Sequence, residues 1–203
     1  MRKKYIIIIL SALPLFSQGI NHSQKLVIRK SPFGLNISSE IDFRTNEEGL
    51  HHRHFDFGLR FPIGKTWLTS VQYRSVYRKN ENEWALEKRP HAQIQKTINS
   101  DKIKWSIKSR QELRIRDGRD NSMRNRFRIT AKSNIRFKSI KPYIGNEFFY
   151  DFEKKSYNKN WLMVGIDLQK NRYGVPSIYY KYVTDFEDNK WVPTYSLVFK
   201  ITL

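Results

Sequence analysis

The sequence predicts an all-β protein: a single antiparallel transmembrane β-barrel of about ten strands, within a span of eight to twelve. Three observations carry that prediction. Apolar and polar residues alternate with a period of two along almost the whole chain, the signature of strands with two unlike faces. The alternating segments run roughly 10 to 15 residues, whereas strands of soluble domains average about 5 to 6, and a tilted strand needs about 9 to 11 to cross hydrocarbon. Aromatic residues gather near the ends of the apolar rows, as girdles at the headgroup level do.

The segments follow in order. Residues 1–19, MRKKYIIIILSALPLFSQG, place Arg2, Lys3 and Lys4 before an uncharged stretch from Tyr5 to Phe16, with small residues at Ser17 and Gly19. This is the layout of a secretory signal peptide cleaved after Ser17 or after Gly19, and its apolar part is too short to span a bilayer as a helix. Its removal lowers the formal charge from +19 to 19 − 3 = +16. Residues 20–32 are expected as a periplasmic lead-in, or a short strand through KLVIR (25–29), and residues 33–203 as the barrel.

Ten strand candidates follow. In 33–44, Leu35, Ile37, Ile41 and Phe43 oppose Asn36, Ser38, Glu40, Asp42 and Arg44. In 52–61, Phe55, Phe57, Leu59 and Phe61 oppose His52, His54, Asp56 and Arg60, and in 66–78 Trp67, Val71, Tyr73 and Tyr77 oppose Gln72, Arg74 and Arg78. Segment 84–98 is the least regular, since Lys88, Pro90 and Lys96 share the parity of Trp84, Leu86, Ile94 and Ile98. The clearest is 102–118, KIKWSIKSRQELRIRDG: Ile103, Trp105, Ile107, Leu113 and Ile115 back onto Lys104, Lys108, Arg110, Glu112, Arg114 and Arg116. Segments 122–135, 141–152, 160–169, 175–186 and 191–203 complete the set, the last alternating from Tyr195 to Leu203.

A charge facing hydrocarbon at mid-bilayer costs about 2–4 kcal/mol, so the charged row of each strand is expected to face an enclosed interior. Ser39, Ser109, Gln111 and Asn146 remain on the apolar parity, where a bulge or a register change would explain them. PIGK (62–65), NSDK (99–102) and KNRYG (170–174) read as short turns at the periplasmic end. TNEEGLHHR (45–53), KNENE (79–83), DGRDNS (117–122), EKKSYNKN (153–160) and DFEDNK (185–190) read as longer outer loops. The chain has no cysteine, which excludes disulfides, thiolate metal sites and a lipid-modified cysteine.

EIDFR (40–44), RQELRIR (110–116), RNRFRI (124–129) and KPYIGNEFFYD (141–151) resemble an uncharacterised bacterial outer-membrane barrel family, domain of unknown function 2490. That resemblance implies a barrel in the outer membrane of a diderm bacterium and brings no known catalytic residues.

The interior candidates include fifteen cations, against eight acids. The candidate lumen and anion-contact residues are Arg110, Glu112, Arg114, Arg116, Arg124, Arg126, Arg128 and Glu147. They fit either a narrow interior filled by ion pairs or an anion-preferring passage. The cation excess is expected to be greatest near the outer mouth, where Arg114, Arg116, Arg124 and Arg126 flank DGRDNS and could meet lipopolysaccharide phosphates. His52, His54 and Asp56 invite a catalytic or metal reading, but no third ligand can be assigned. GLRFPIGKT (58–66) has five residues between its glycines where a phosphate-binding loop has four, in a strand–turn–strand context.

The expected function is an outer-membrane barrel of structural or small-solute type, not an enzyme, with no cofactor and no metal. An enzyme acting on lipid or peptide at the extracellular rim is the runner-up. The expected partners are outer-membrane lipid, lipopolysaccharide and the barrel-assembly machinery, with no nucleic acid.

Overall fold

A computed structural model describes residues 19–81 and 83–203. The expected leader therefore lies outside the described residues, apart from Gly19. Eleven strands form one closed barrel, each paired with its neighbour in sequence. They are β1 (Ile20–Lys30), β2 (Asn36–Asn46), β3 (Gly49–Ile63), β4 (Trp67–Asn80), β5 (Glu83–Asn99), β6 (Ile103–Arg116), β7 (Ser122–Ser133), β8 (Ile140–Asp151), β9 (Ser156–Leu168), β10 (Val175–Glu187) and β11 (Lys190–Thr202).

The strand beyond the ten read from the sequence is β1. It runs antiparallel to β2 and parallel to β11, with Lys25 opposite Asp42 on one side and Lys200 on the other. Reciprocal backbone bonds seal this seam: Leu203 N donates to Val27 O at 2.8 Å, and Arg29 N donates to Leu203 O at 3.1 Å. An odd strand count forces one parallel pair in an otherwise antiparallel barrel, because an up-and-down meander returns to its start only with an even number. The closure leaves no exposed sheet edge.

The inward and outward rows sort as the alternation requires. Thirty-three large hydrophobic side chains are exposed, while six hydrophobic residues are buried among the described residues. The buried charged residues number six acids (Asp42, Asp56, Glu87, Glu112, Glu147, Asp151) and six cations (Arg74, Arg89, Arg110, Arg124, Arg126, Lys181). This is a protein with its greasy surface outside and its ion pairs inside. Pro90, on the outward row of β5, leaves a gap in the β5–β6 ladder between Lys88 and His91 without shifting the register, so β5 is the longest strand at 17 residues.

Two of the polar residues on the apolar row, Ser109 and Asn146, are paired across the strands without a bulge or slip. Asn125 Nδ2 donates to Ser109 Oγ at 3.0 Å, and Asn146 and Asn160 exchange amide hydrogen bonds at 3.1 Å. Pairing across the strands satisfies these polar groups on the outer surface. Two bulges do occur. They leave His51 and Asn158 as extra residues on β3 and β9, at one end of the barrel.

The expected contrast in loop length is not present. Connections at the end where β11 finishes span 31–35, 64–66, 100–102, 134–139 and 169–174; those at the opposite end span 47–48, 81–82, 117–121, 152–155 and 188–189. The polar stretches read as long loops are mostly strand. Alternation continues past the apolar belt, so Asn80 still faces Glu83 and Glu187 still faces Lys190 across tight turns. Asp188 and Asn189 both take positive φ, the backbone of a two-residue hairpin turn.

Candidate functional site: the barrel interior

All eight interior candidates lie on the inward row, and most converge on two glutamates. Glu112, with no solvent exposure, accepts from Arg124 at 2.6 Å, Arg126 at 2.8 Å and Arg110 at 3.3 Å. Glu147 accepts from Arg128 at 2.5 Å and Arg126 at 3.0 Å. Arg126 therefore bridges both acids. The register sets each glutamate beside an arginine of β7: Glu112 lies opposite Arg124, and Glu147 opposite Arg128.

Arg114 turns instead to Glu87, at 2.5 Å, and shares it with Arg89 at 2.7 Å. Arg116 donates to Asp120 O and Ser122 Oγ, each at 3.0 Å, and closes the 117–121 connection. Phe149 lies among these guanidiniums, with Arg126 and Arg124 at 4.7 and 5.0 Å from its ring centroid and the Trp161 ring at 4.8 Å. Its inward aromatic ring was hidden in the sequence by its neighbours Phe148 and Tyr150. The four arginines near DGRDNS are thus held within the barrel, and Arg124 and Arg126 are buried.

The histidines have partners other than those expected. His54 Nε2 lies 2.9 Å from Glu40 and its Nδ1 3.4 Å from His52 Nε2, while Asp56 binds Arg74 at 2.6 Å. His54 and Asp56 therefore do not form the anticipated pair. Among the described residues, no group of three or more His, Asp or Glu side chains is disposed to hold a metal ion.

Beside this ion-paired layer lies a cavity of about 260 Å³ that runs from mid-barrel to the C-terminal end. Its lining reaches Arg29, Arg60, Leu68, Lys132, Tyr143 and Thr202, all close to the turns at that end. It does not include Glu87, Arg89, Arg114, Arg116 or Arg124 of the opposite end. Twelve cations and three acids line it, an excess of 12 − 3 = 9. The cation excess thus sits at the end opposite to the one expected from the sequence. The reason is that Arg114, Arg124 and Arg126 near DGRDNS pair with Glu87, Glu112 and Glu147, while Lys25 and Arg29 of β1 add to the other end.

Lys25 binds Glu40 at 3.1 Å, and Lys132 pairs with Asp167. Among the described residues, Arg29, Arg60, Lys108, Lys181 and Lys200 have no carboxylate within ion-pair distance. Lys25 and Arg29 were not among the interior candidates because β1 mixes polar and apolar residues on both rows; the alternation of Ser23, Lys25, Val27 and Arg29 was the available signal.

The family described as Protein of unknown function (DUF2490) matches residues 23–192, and the chain belongs to that family. No curated protein sequence matches it.

Proposed function

We propose that this family member is an outer-membrane barrel of the structural type, whose lumen is shut by a layer of ion pairs and therefore holds no continuous aqueous passage. The observation that carries the membrane placement is the inverted distribution of side chains, with thirty-three large hydrophobics exposed around a charged interior. Exposed apolar patches on soluble proteins rarely exceed a few hundred Å², and a continuous belt needs lipid. Its aromatic margins support the same reading. Arg53 lies over Tyr77 and Trp84 at 5.0 and 4.5 Å, and Phe186 lies against Trp191 at 5.3 Å, all near one end of the strands.

Closure is supported by Glu112 and Glu147 and their arginines, which occupy the section between the cavity and the opposite mouth. The role needs no catalysis and no cofactor, since the one histidine–carboxylate contact shorter than 3 Å, His54 with Glu40, is tied into the same ionic lattice. On this reading its partners are membrane lipid, lipopolysaccharide around the belt, and the assembly machinery that inserts it after a signal peptide is removed.

Fractionation followed by planar-bilayer recording tests the proposal. The expected result is recovery with the outer membrane and no steady single-channel conductance. Recovery among freely soluble periplasmic proteins would defeat the placement, and a stable conductance from the unaltered protein would defeat the closed lumen.

A further inference from the structure

We propose that the cavity at the C-terminal mouth is a binding site for a multivalent phosphate anion, of the size of pyrophosphate, held between Lys108 and Arg128 on one wall and Lys25, Lys181 and Lys200 on the other. The inference rests on the closed-lumen reading only in that the cavity is a dead end.

The register shows why an anion is needed there. Lys25 stands directly opposite Lys200, and Lys108 directly opposite Arg128. Like charges directly across a ladder destabilise a sheet. One inward step along the same two strands, the same arrangement is neutralised from within: Arg110 and Arg126 face each other and share Glu112. Around the cavity the acids do not suffice. Lys108 and Lys200 have no carboxylate within 4 Å, although Arg128 has Glu147 and Lys25 has Glu40.

Lys181 supplies the independent sign of a ligand. It is 5% exposed, lines the cavity, and has no hydrogen-bond acceptor or carboxylate; its ammonium only rests over the Trp161 ring at 4.4 Å. Two further buried donors on the lining, Trp161 Nε1 and Arg128 Nε, have no acceptor. Buried donors are rarely left unmatched, and each such group costs on the order of 1–3 kcal/mol. Every one of these groups asks for oxygen acceptors bearing negative charge.

The valence and the size follow. A single chloride would leave most of the excess in place, whereas a diphosphate carries several charges on oxygens that match ammonium and guanidinium donors. At about 30 Å³ per water, roughly nine waters would fill 260 Å³, which leaves room for a diphosphate with part of its hydration. Tyr143 and Tyr179 stand beside the site with ring centroids 6.1 Å apart, and Gly165 lies between them in the register. A Cβ on Gly165 would meet Tyr179 Cβ at 2.3 Å, so glycine is what lets that ring lie against the wall.

The phosphate could be a free anion or part of a lipid headgroup, and titration of inorganic pyrophosphate into the full barrel folded in maltoside detergent tests the shared chemistry. Saturable binding of one pyrophosphate per barrel is expected. Lys108→Gln and Lys200→Gln should each weaken it about tenfold or more, as expected for loss of a charge-assisted contact. Arg116→Gln at the opposite mouth should leave it unchanged. Repeating the titration in nanodiscs separates the sources. If phosphatidylglycerol discs suppress pyrophosphate binding and phosphatidylcholine discs do not, the ligand is a headgroup; equal binding in both identifies a free anion.

No saturable binding by a barrel that keeps its folded gel mobility would overturn the proposal, as would binding indifferent to both lysine substitutions. Neither outcome depends on membrane location or conductance, so failure here is distinct from failure of the closed-lumen reading.

Discussion

Arg126 and Lys200 both point into the barrel, and both face another cation directly across the ladder, Arg110 in one case and Lys25 in the other. Arg126 meets Glu112 at 2.8 Å and Glu147 at 3.0 Å, while Lys200 meets no carboxylate. The same residue chemistry thus serves two ends. Toward the DGRDNS end most charges are matched inside the protein, since Glu87, Glu112 and Glu147 each bind two or more arginines. Toward the C-terminal end Arg29, Arg60, Lys108, Lys181 and Lys200 line open space with no carboxylate within ion-pair distance among the described residues. A matched network stabilises the fold and closes the lumen; an unmatched one stores repulsion that only a solvent ion or a ligand relieves.

The largest test of that contrast is Glu112→Gln. It removes the negative partner of three arginines in a site without solvent access. Breaking a buried pair by deleting one partner costs about 3–5 kcal/mol, because the opposite charge is left uncompensated. Urea unfolding in lipid vesicles should show a loss of that order. A loss below about 1 kcal/mol would mean that water already enters the layer, and the closed lumen would have to be abandoned.

This contrast was half legible in the sequence. Strict alternation through Ile103–Arg116 placed every charge of β6 on the inward row, because a two-residue period leaves a strand only two faces. The eight named interior residues could be placed for that reason. Their pairing could not, since it depends on register: Arg114 reaches Glu87 on β5, 27 positions away, and Arg128 reaches Glu147, 19 positions away. Net charge misled for the same reason. The arginines around DGRDNS looked like an unmatched cluster along the chain, while the acids that neutralise them arrive from neighbouring strands. Loop lengths misled as well, because polar alternation such as that of Asp185–Lys190 is equally compatible with a loop and with strands extending into water. The strand β1 was legible only as the short run KLVIR, and the parallel seam with β11 has no local signal at all.

An intermediate effect is expected from Gly165→Ala. The added methyl would meet Ile178 O at 2.7 Å and Tyr179 Cβ at 2.3 Å, so the tyrosine must leave its place between the β9 and β11 walls. Overpacking of this kind costs about 1–3 kcal/mol. The comparison is sharpened by a second readout: pyrophosphate affinity should fall with Gly165→Ala, whereas Glu112 and its arginines on β6 and β7, strands away from Tyr179 on β10, should keep the bilayer silent. A conductance appearing in this variant would show that the two halves are one mechanical unit.

The smallest effect belongs to Lys200→Gln, and its sign is the informative part. In the matched half, loss of a charge leaves a partner stranded. In the cavity half, loss of the Lys200 charge removes repulsion against Lys25 directly opposite and strands nothing. Cross-strand pairs contribute about 0.2–1 kcal/mol, so a gain of a few tenths of a kcal/mol is expected in phosphate-free, low-salt buffer. The gain should shrink as salt screens the pair, and it should reverse when pyrophosphate is present, because the unaltered barrel then gains binding energy that the variant has lost. A clear destabilisation in phosphate-free buffer would mean that Lys200 has a partner within the fold, and the division of the lumen into a matched and an unmatched half would not stand.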